Sequence, residues 1–154
     1  MAALVDDLRR SLTTANGLSL VAEEAGEVVG HVLFSRGLLD TPQRLVEVQV
    51  LSPLGVRPHH QRQGIGSALV RAGLDVLAQR AVPVVFLEGD PGYYSRLGFR
   101  PGVEQGFRKP SLRIPDAAFQ AFTLPAHEPW MTGTLVYSDS FWRHDAVGLR
   151  DDGD

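Results

Sequence analysis

The segment Gln61-Arg62-Gln63-Gly64-Ile65-Gly66 constrains this chain more than any other. It lies between an apolar run ending near Val56 and a helix-like segment from about Gly64 to Arg80. Two glycines two residues apart, where a chain turns into a helix, let backbone amides approach a ligand without interference from a Cβ. Those amides, with the positive end of the helix dipole, make a site for a phosphate or pyrophosphate. Arg62 inside the loop and Arg57 just before it add charge-assisted hydrogen bonds. The reading is a pyrophosphate-binding loop that joins a strand to a helix.

Several nucleotide folds carry such loops, and most are excluded by spacing. A P-loop needs Lys and then Ser or Thr directly after its second glycine, and no Lys is nearby. A dinucleotide fingerprint puts Gly or Ala three residues after Gly66, where Leu69 stands. It also requires a very short strand-to-helix turn, whereas Arg57 to Gln63 is a polar excursion. What remains is Gln/Arg-x-x-Gly-x-Gly/Ala, preceded by Leu54-Gly55-Val56-Arg57-Pro58. This pattern resembles motif A of the GNAT acetyltransferase superfamily, where it binds the pyrophosphate of acetyl-coenzyme A. A second block follows in the right order. Tyr93-Tyr94-Ser95-Arg96-Leu97-Gly98-Phe99 resembles the superfamily's motif B, an aromatic followed by Tyr-x-x-x-Gly-Phe. The stretch from Gly89 to Pro101 is similar to the YhbS-type branch of N-acetyltransferases.

The resemblance covers roughly residues 4–138 and is densest from 54 to 101. It implies an α/β GNAT fold, with a mixed, mostly antiparallel sheet splayed at its centre and flanked by helices. It implies acetyl-CoA as co-substrate and direct transfer to an amine of a small molecule or a protein. It further implies that Leu54, Gly55 and Val56 offer backbone groups to the pantetheine and the oxyanion, with phosphate contacts from Gln61, Arg62, Gln63, Gly64, Ile65, Gly66 and Ser67. Arg62 is the side chain favoured for the phosphates, and Arg57 is a further candidate. Tyr94 matches the tyrosine that in many members donates a proton to the coenzyme thiolate. GNAT chains usually open with a strand and a helix ahead of the short helix expected here, and both are missing from this sequence. The first strand would then be an exposed edge, relieved by pairing in a homodimer or by cover from the C-terminal segment.

At 154 residues the chain is long enough for one domain with a substantial core, read here as 1–148. The acidic tail 149–154 is expected to be disordered. A net charge of −3 with no basic run excludes a general nucleic-acid binder. The absence of cysteine excludes disulfides, thiolate metal sites and a cysteine acyl-enzyme. No segment has signal-peptide or membrane-spanning character, so a cytoplasmic protein is the default. No metal site is expected either. His59 and His60 are adjacent and point in different directions, and His127-Glu128 lacks the second His of a zinc-protease motif.

Periodicity predicts a helix over 2–11, strands over Leu18–Glu24 and Glu27–Ser35 around Ala25-Gly26, and a strand over Arg44–Leu51. Pro53 removes a backbone donor and belongs at a bulge or an interrupted pairing. The helix from Gly64 presents Ile65, Leu69, Ala72 and Val76 as the centre of its apolar face, widened by Val70, Leu74 and Leu77. Val82–Leu87 reads as a strand buried on both faces, and Pro91–Leu97 as a short helix ended by Gly98. Ala117–Leu124 and Gly133–Tyr137 read as later strands.

Acetyl transfer needs a neutral amine, a held oxyanion and a stabilised thiolate. Tyr94 is the candidate acid; Tyr93 beside it falls at a packing position. Glu47, on the polar face of the strand before the loop, is the first candidate base, and Glu88 is its rival. Trp130, Tyr137 and Trp142 are candidates to line an acceptor pocket. Two alternative readings stay open: a non-catalytic acyl-CoA-binding regulatory module, and an interaction protein that keeps the fold without the ligand.

Overall fold

The computed structural model describes residues 17–150. The expected helix over 2–11 and residues 151–154 of the expected tail 149–154 lie outside them. Leu149 and Arg150 are described, the first bonding the Arg113 carbonyl and the second pairing with Asp145.

A long hairpin opens the described chain. Strands β1 (Gly17–Glu24) and β2 (Glu27–Asp40) pair antiparallel around Ala25 and Gly26, with φ of 52° and 81°. Positive φ at both central residues is the turn geometry that matches the right-handed twist of the flanking strands. β2 runs five residues past the expected Ser35. Its second half is held by pairing with β3 (Leu45–Val56) on one side and β8 (Gly133–Val136) on the other. β8 joins β2 at Leu38–Asp40, beyond the end of β1, so among the described residues no strand pairs with the outer side of β1.

β3 continues through Pro53, with a bulge where the sequence expects one. Leu54 faces Val32 and Leu51 faces Phe34, so Ser52 and Pro53 together oppose Leu33 alone. The chain then crosses through helix α1 (Ile65–Gln79) into β4 (Val84–Glu88), which lies parallel to β3. Short elements follow: α2 (Pro91–Tyr94), β5 (Arg100–Pro101), β6 (Phe107–Arg108), β7 (Phe119–Thr123), β8 and α3 (Asp139–Arg143). The sheet order is β5-β7-β4-β3-β2-β8-β6, with β1 on β2. Among the described residues only β3–β4 and β6–β8 are parallel. The two-residue strands β5 and β6 and the helix α3 carry no periodicity of their own, and the sequence reading missed them.

Each face of the sheet has a core. Under α1 lie Val32, Phe34, Leu51, Val85, Leu87 and Phe99. On the other face Leu33, Val48, Val50, Phe86, Phe119 and Tyr137 pack beneath the C-terminal loops and α3. The buried face of α1 is rotated from the expected one: Leu69, Val70, Gly73, Leu74 and Leu77 are buried, while Ala72 is exposed. The cause is Phe34. A Cβ on Gly73 would sit 2.2 Å from its ring, so this glycine is the slot into which the ring packs. Among the described residues, no helix is long and apolar enough to cross a membrane.

Candidate active site

The site begins with a failure of pairing. β3 and β4 share only two register pairs, Gln49 with Val85 and Val50 with Phe86. Beyond them the strands follow different partners. β3 stays with β2 as far as Val56 opposite Gly30, and β4 stays with β7 as far as Glu88 opposite Phe119. The Gly89 N–H donates to the Ala118 carbonyl (3.0 Å), and Gln120 donates its amide to the Gly89 carbonyl (3.2 Å). These bonds hold the end of β4 to the β7 side. The sheet therefore opens from Leu51 onward, and the β4-facing backbone groups of β3 line a gap instead of a ladder.

At the outer end of this gap sits the glycine loop. Gln61 donates its side-chain amide to the Val56 carbonyl (3.0 Å), and Gln63 reaches the His59 carbonyl (3.4 Å). The Arg57 N–H is tied to the Val29 carbonyl at 2.8 Å. Arg62 takes φ +65° and Gly64 φ +80°, a doubled left-handed turn that aims the chain into α1. The first helical bond runs from Ala68 N–H to the Gly64 carbonyl, so the amides of Ile65, Gly66 and Ser67 lie ahead of the ladder. A cavity of about 460 Å³ faces them, lined by Leu54, Val56, Arg62, Gly64, Gly66 and Tyr93 among others. A Cβ on Gly64 would meet nothing within 4 Å, whereas one on Gly66 would come within 2.7 Å of the Tyr93 hydroxyl. The two glycines thus do different work. Gly64 supplies a backbone angle, and Gly66 supplies clearance.

The two tyrosines of α2 diverge. Tyr93 is half-exposed and lines the 460 Å³ cavity, so the expectation that it packs in the core is corrected. Tyr94 turns inward. Its ring packs edge-on to Phe99 and lies against Gly89, where a Cβ would come within 2.7 Å of it. Gly89 is the residue at which β4 leaves the sheet, so Tyr94 stands beside the gap. Burial above all, then Tyr93 and Asp90, push the Tyr94 phenol up to about 12.

A second cavity, of about 370 Å³, opens where the strands part. Val50, Leu51 and Ser52 of β3 form one side; Glu88, Tyr137, Phe141 and the segment from His144 to Gly148 contribute the rest. Glu88 is held by two donors: Tyr137 OH to Oε2 at 2.8 Å and Gly148 N–H to Oε1 at 2.9 Å. Burial first, and then the Glu88 carboxylate, raise the Tyr137 phenol well above its usual range, which keeps it a donor. β3 borders both cavities, through Val50–Ser52 on one and through Leu54 and Val56 on the other.

The model of the acetyltransferase (GNAT) family matches residues 2–99 of this chain. The chain belongs to the GNAT acetyltransferase family. It is 34% identical over 146 residues to an uncharacterized N-acetyltransferase, YjhQ, of Escherichia coli strain K12, covering 90% of this chain and 78% of that one. The structure is similar to that of the GNAT family N-acetyltransferase YhbS of Escherichia coli in complex with CoA, with a TM-score of 0.81 and 32% identity. That match covers 97% of this chain and 81% of the other. It also resembles a GNAT family acetyltransferase of Brucella melitensis in complex with acetyl-CoA, with a TM-score of 0.67, 35% identity, and coverage of 90% and 75%. The expected α/β GNAT fold is therefore the fold observed, and membership makes the protein an acetyl-CoA-dependent N-acetyltransferase.

Within this GNAT frame, most of the anticipated residues come together. Leu54, Val56, Gln61, Arg62, Gly64, Ile65, Gly66 and Ser67 share the 460 Å³ cavity. Gly55 stands exposed between Leu54 and Val56, and Gln63 braces the loop. Arg57 leans away, with its guanidinium 3.6 Å from Glu27. Glu47 is not brought to the site. It pairs with Arg36 at 2.9 Å and borders a separate cavity of about 120 Å³ with Arg80 at the far end of α1. From Glu47 to Leu51, where the gap begins, is about 13 Å along the strand. Glu88, the lesser candidate in the sequence, stands at the gap instead. Trp130 stacks under Arg44 and bonds Glu128, away from both cavities, whereas Tyr137 lines the second one. The contributions of His144 and Asp145 carry no signal in the sequence, because the fold alone returns the C-terminal segment to β4. Among the described residues, no cluster of side chains suits a metal ion.

Proposed function

We propose that this GNAT protein seats acetyl-CoA along the β3–β4 gap and passes its acetyl group directly to an amine entering from the 370 Å³ cavity. The observation that carries the reading is a coincidence in space. The unpaired edge of β3 runs straight into a glycine loop whose helix amides face a cavity. In this reading the amides of Ile65–Ser67 and the Arg62 guanidinium hold the pyrophosphate. The backbone of Leu54–Val56 pairs with the pantetheine arm. The thioester reaches the point where the strands part, beside Gly89 and Tyr94. When bound, the co-substrate supplies an activated acetyl carbon; the protein supplies position and protons. Tyr94, protonated at neutral pH, donates to the departing sulfur. A cytoplasmic setting, where acetyl-CoA is made and used, suits this assignment.

Calorimetric titration with coenzyme A, followed by an acetyl-transfer assay with amines, tests it. Binding and turnover are the expected results. Binding without turnover of any amine would support an acyl-CoA-binding regulatory module instead, and no binding would overturn the reading.

A further inference from the structure

The cavity that opens on the thioester end of the gap has a definite chemistry. Its one strongly held acid is Glu88, whose two partners are a phenol and a backbone amide, so neither brings a positive charge. Each carboxylate oxygen has a second lone-pair site, which leaves acceptor capacity toward the cavity. The other carboxylate there, Asp145, is already matched by Arg150 Nε at 2.5 Å. The rest of the lining is mostly apolar, from Val50, Leu51, Phe141, Ala146 and the ring of Tyr137, which stacks on Phe141 at 4.8 Å with the planes 27° apart. Ser52 and His144 add polar groups. The wall is built in. Arg113 donates to the Val147 carbonyl at 3.0 Å, and a Cβ on Gly148 would come within 2.7 Å of the Arg113 backbone. The volume of about 370 Å³ lies at the lower end of the range for small-molecule pockets.

We infer that the acceptor is a small primary amine carrying a compact aromatic or apolar group and no carboxylate, received as its ammonium by Glu88. The inference rests on the acetyl-transfer reading above and names its substrate class. Glu88 takes one proton from the ammonium, and the freed lone pair attacks the thioester carbonyl carbon. The C–N bond forms and the C–S bond breaks, with its electron pair leaving on sulfur. The sulfur receives a proton from Tyr94, which regains one from the acylated nitrogen. Glu88 returns its proton to water. A carboxylate on the acceptor would add like charge beside Glu88, in a lining that already holds a second carboxylate, Asp145. The apolar part of the lining favours an apolar body on the acceptor.

Four amines test this: 2-phenylethylamine, its carboxylated counterpart phenylalanine, ethylamine, and a short lysine peptide. The first is expected to show a kcat/KM at least about tenfold above each of the others. A better result with phenylalanine or the peptide would overturn the proposal, and parity with ethylamine would remove the aromatic wall from it. Silence with all four, while coenzyme A still binds, would overturn the substrate class alone. Failure to bind coenzyme A would sink the acetyl-transfer reading instead. Glu88→Gln is expected to weaken phenylethylamine binding to the coenzyme A complex about tenfold and to lower kcat by about 10²–10⁴-fold, with coenzyme A affinity unchanged. Glu88→Asp keeps the charge and is expected to retain the preference over phenylalanine while losing rate. Amine binding unaltered in Glu88→Gln would show that the ammonium docks elsewhere.

Discussion

The Tyr93 hydroxyl stands 2.7 Å from the point where a Cβ on Gly66 would lie. That contact brings α2 against the first turn of α1, directly over the amides read as the pyrophosphate site. Gly66→Val places a branched side chain between the two. The nearest obstacle is the far end of a tyrosine, which can swing aside, so the domain is expected to stay folded. Coenzyme A affinity is expected to fall at least tenfold. Calorimetry paired with thermal unfolding checks it, and undiminished affinity would remove Gly66 from the site.

The two arginines near the loop differ in their present partners, and so should their losses. Arg62 lines the cavity, and Arg62→Ala is expected to weaken coenzyme A binding by about 1.5–3 kcal/mol, as for a charge-assisted bond. Arg57 faces Glu27 across an exposed ion pair. Its replacement by Ala is expected to cost binding less than about 1 kcal/mol. Equal losses by titration would mean that Arg57 turns to the phosphates on binding.

Tyr94→Phe keeps the ring against Gly89 and Phe99 but removes the hydroxyl. Coenzyme A affinity should hold, and kcat should fall by about 10²–10⁴-fold if proton delivery to sulfur limits turnover. With the phenol pushed up to about 12, Tyr94 stays protonated through neutral and mildly alkaline pH. An alkaline loss of activity that disappears in Tyr94→Phe and is centred well below pH 12 would contradict that placement.

The same shift bears on stability. Folding raises the Tyr94 phenol from 10.0 to about 12, so the folded state favours the neutral form. Its contribution is complete below pH 10 and is lost as pH rises toward 12. Tyr137, raised by burial and by Glu88, acts in the same direction. Denaturant midpoints are expected to stay level up to about pH 10 and fall above it. Less of that fall should remain in Tyr94→Phe.

Gly73 tests the core without touching the site. A Cβ there would overlap the Phe34 ring, at 2.2 Å from its Cε2. Gly73→Ala should therefore destabilise the domain by about 1–3 kcal/mol despite the better helix propensity of alanine. Coenzyme A affinity of the folded fraction should be unchanged. A rise in melting temperature would contradict this packing.

The sequence by itself determined what depends on neighbours along the chain. The left-handed turn at Gly64, the start of α1 after it, and the stop at Gly98, with φ +96°, follow from glycine's freedom at positive φ. The all-buried strand β4 followed from an unbroken apolar run, and the interruption near Pro53 from a missing donor. Tertiary structure decided everything that depends on which distant groups meet. The apolar residues of α1 were readable, yet the buried face was set by Phe34 landing on Gly73. Tyr93 and Tyr94 differ in role only because α2 packs with one toward Gly66 and the other toward Gly89. Glu47 and Glu88 both read as carboxylates on strands. Glu88 acquired a site because Tyr137 and Gly148, 49 and 60 residues later, return to hold it where two strands part. A pattern along the chain records local conformation and burial, but convergence of side chains is a property of the packed fold.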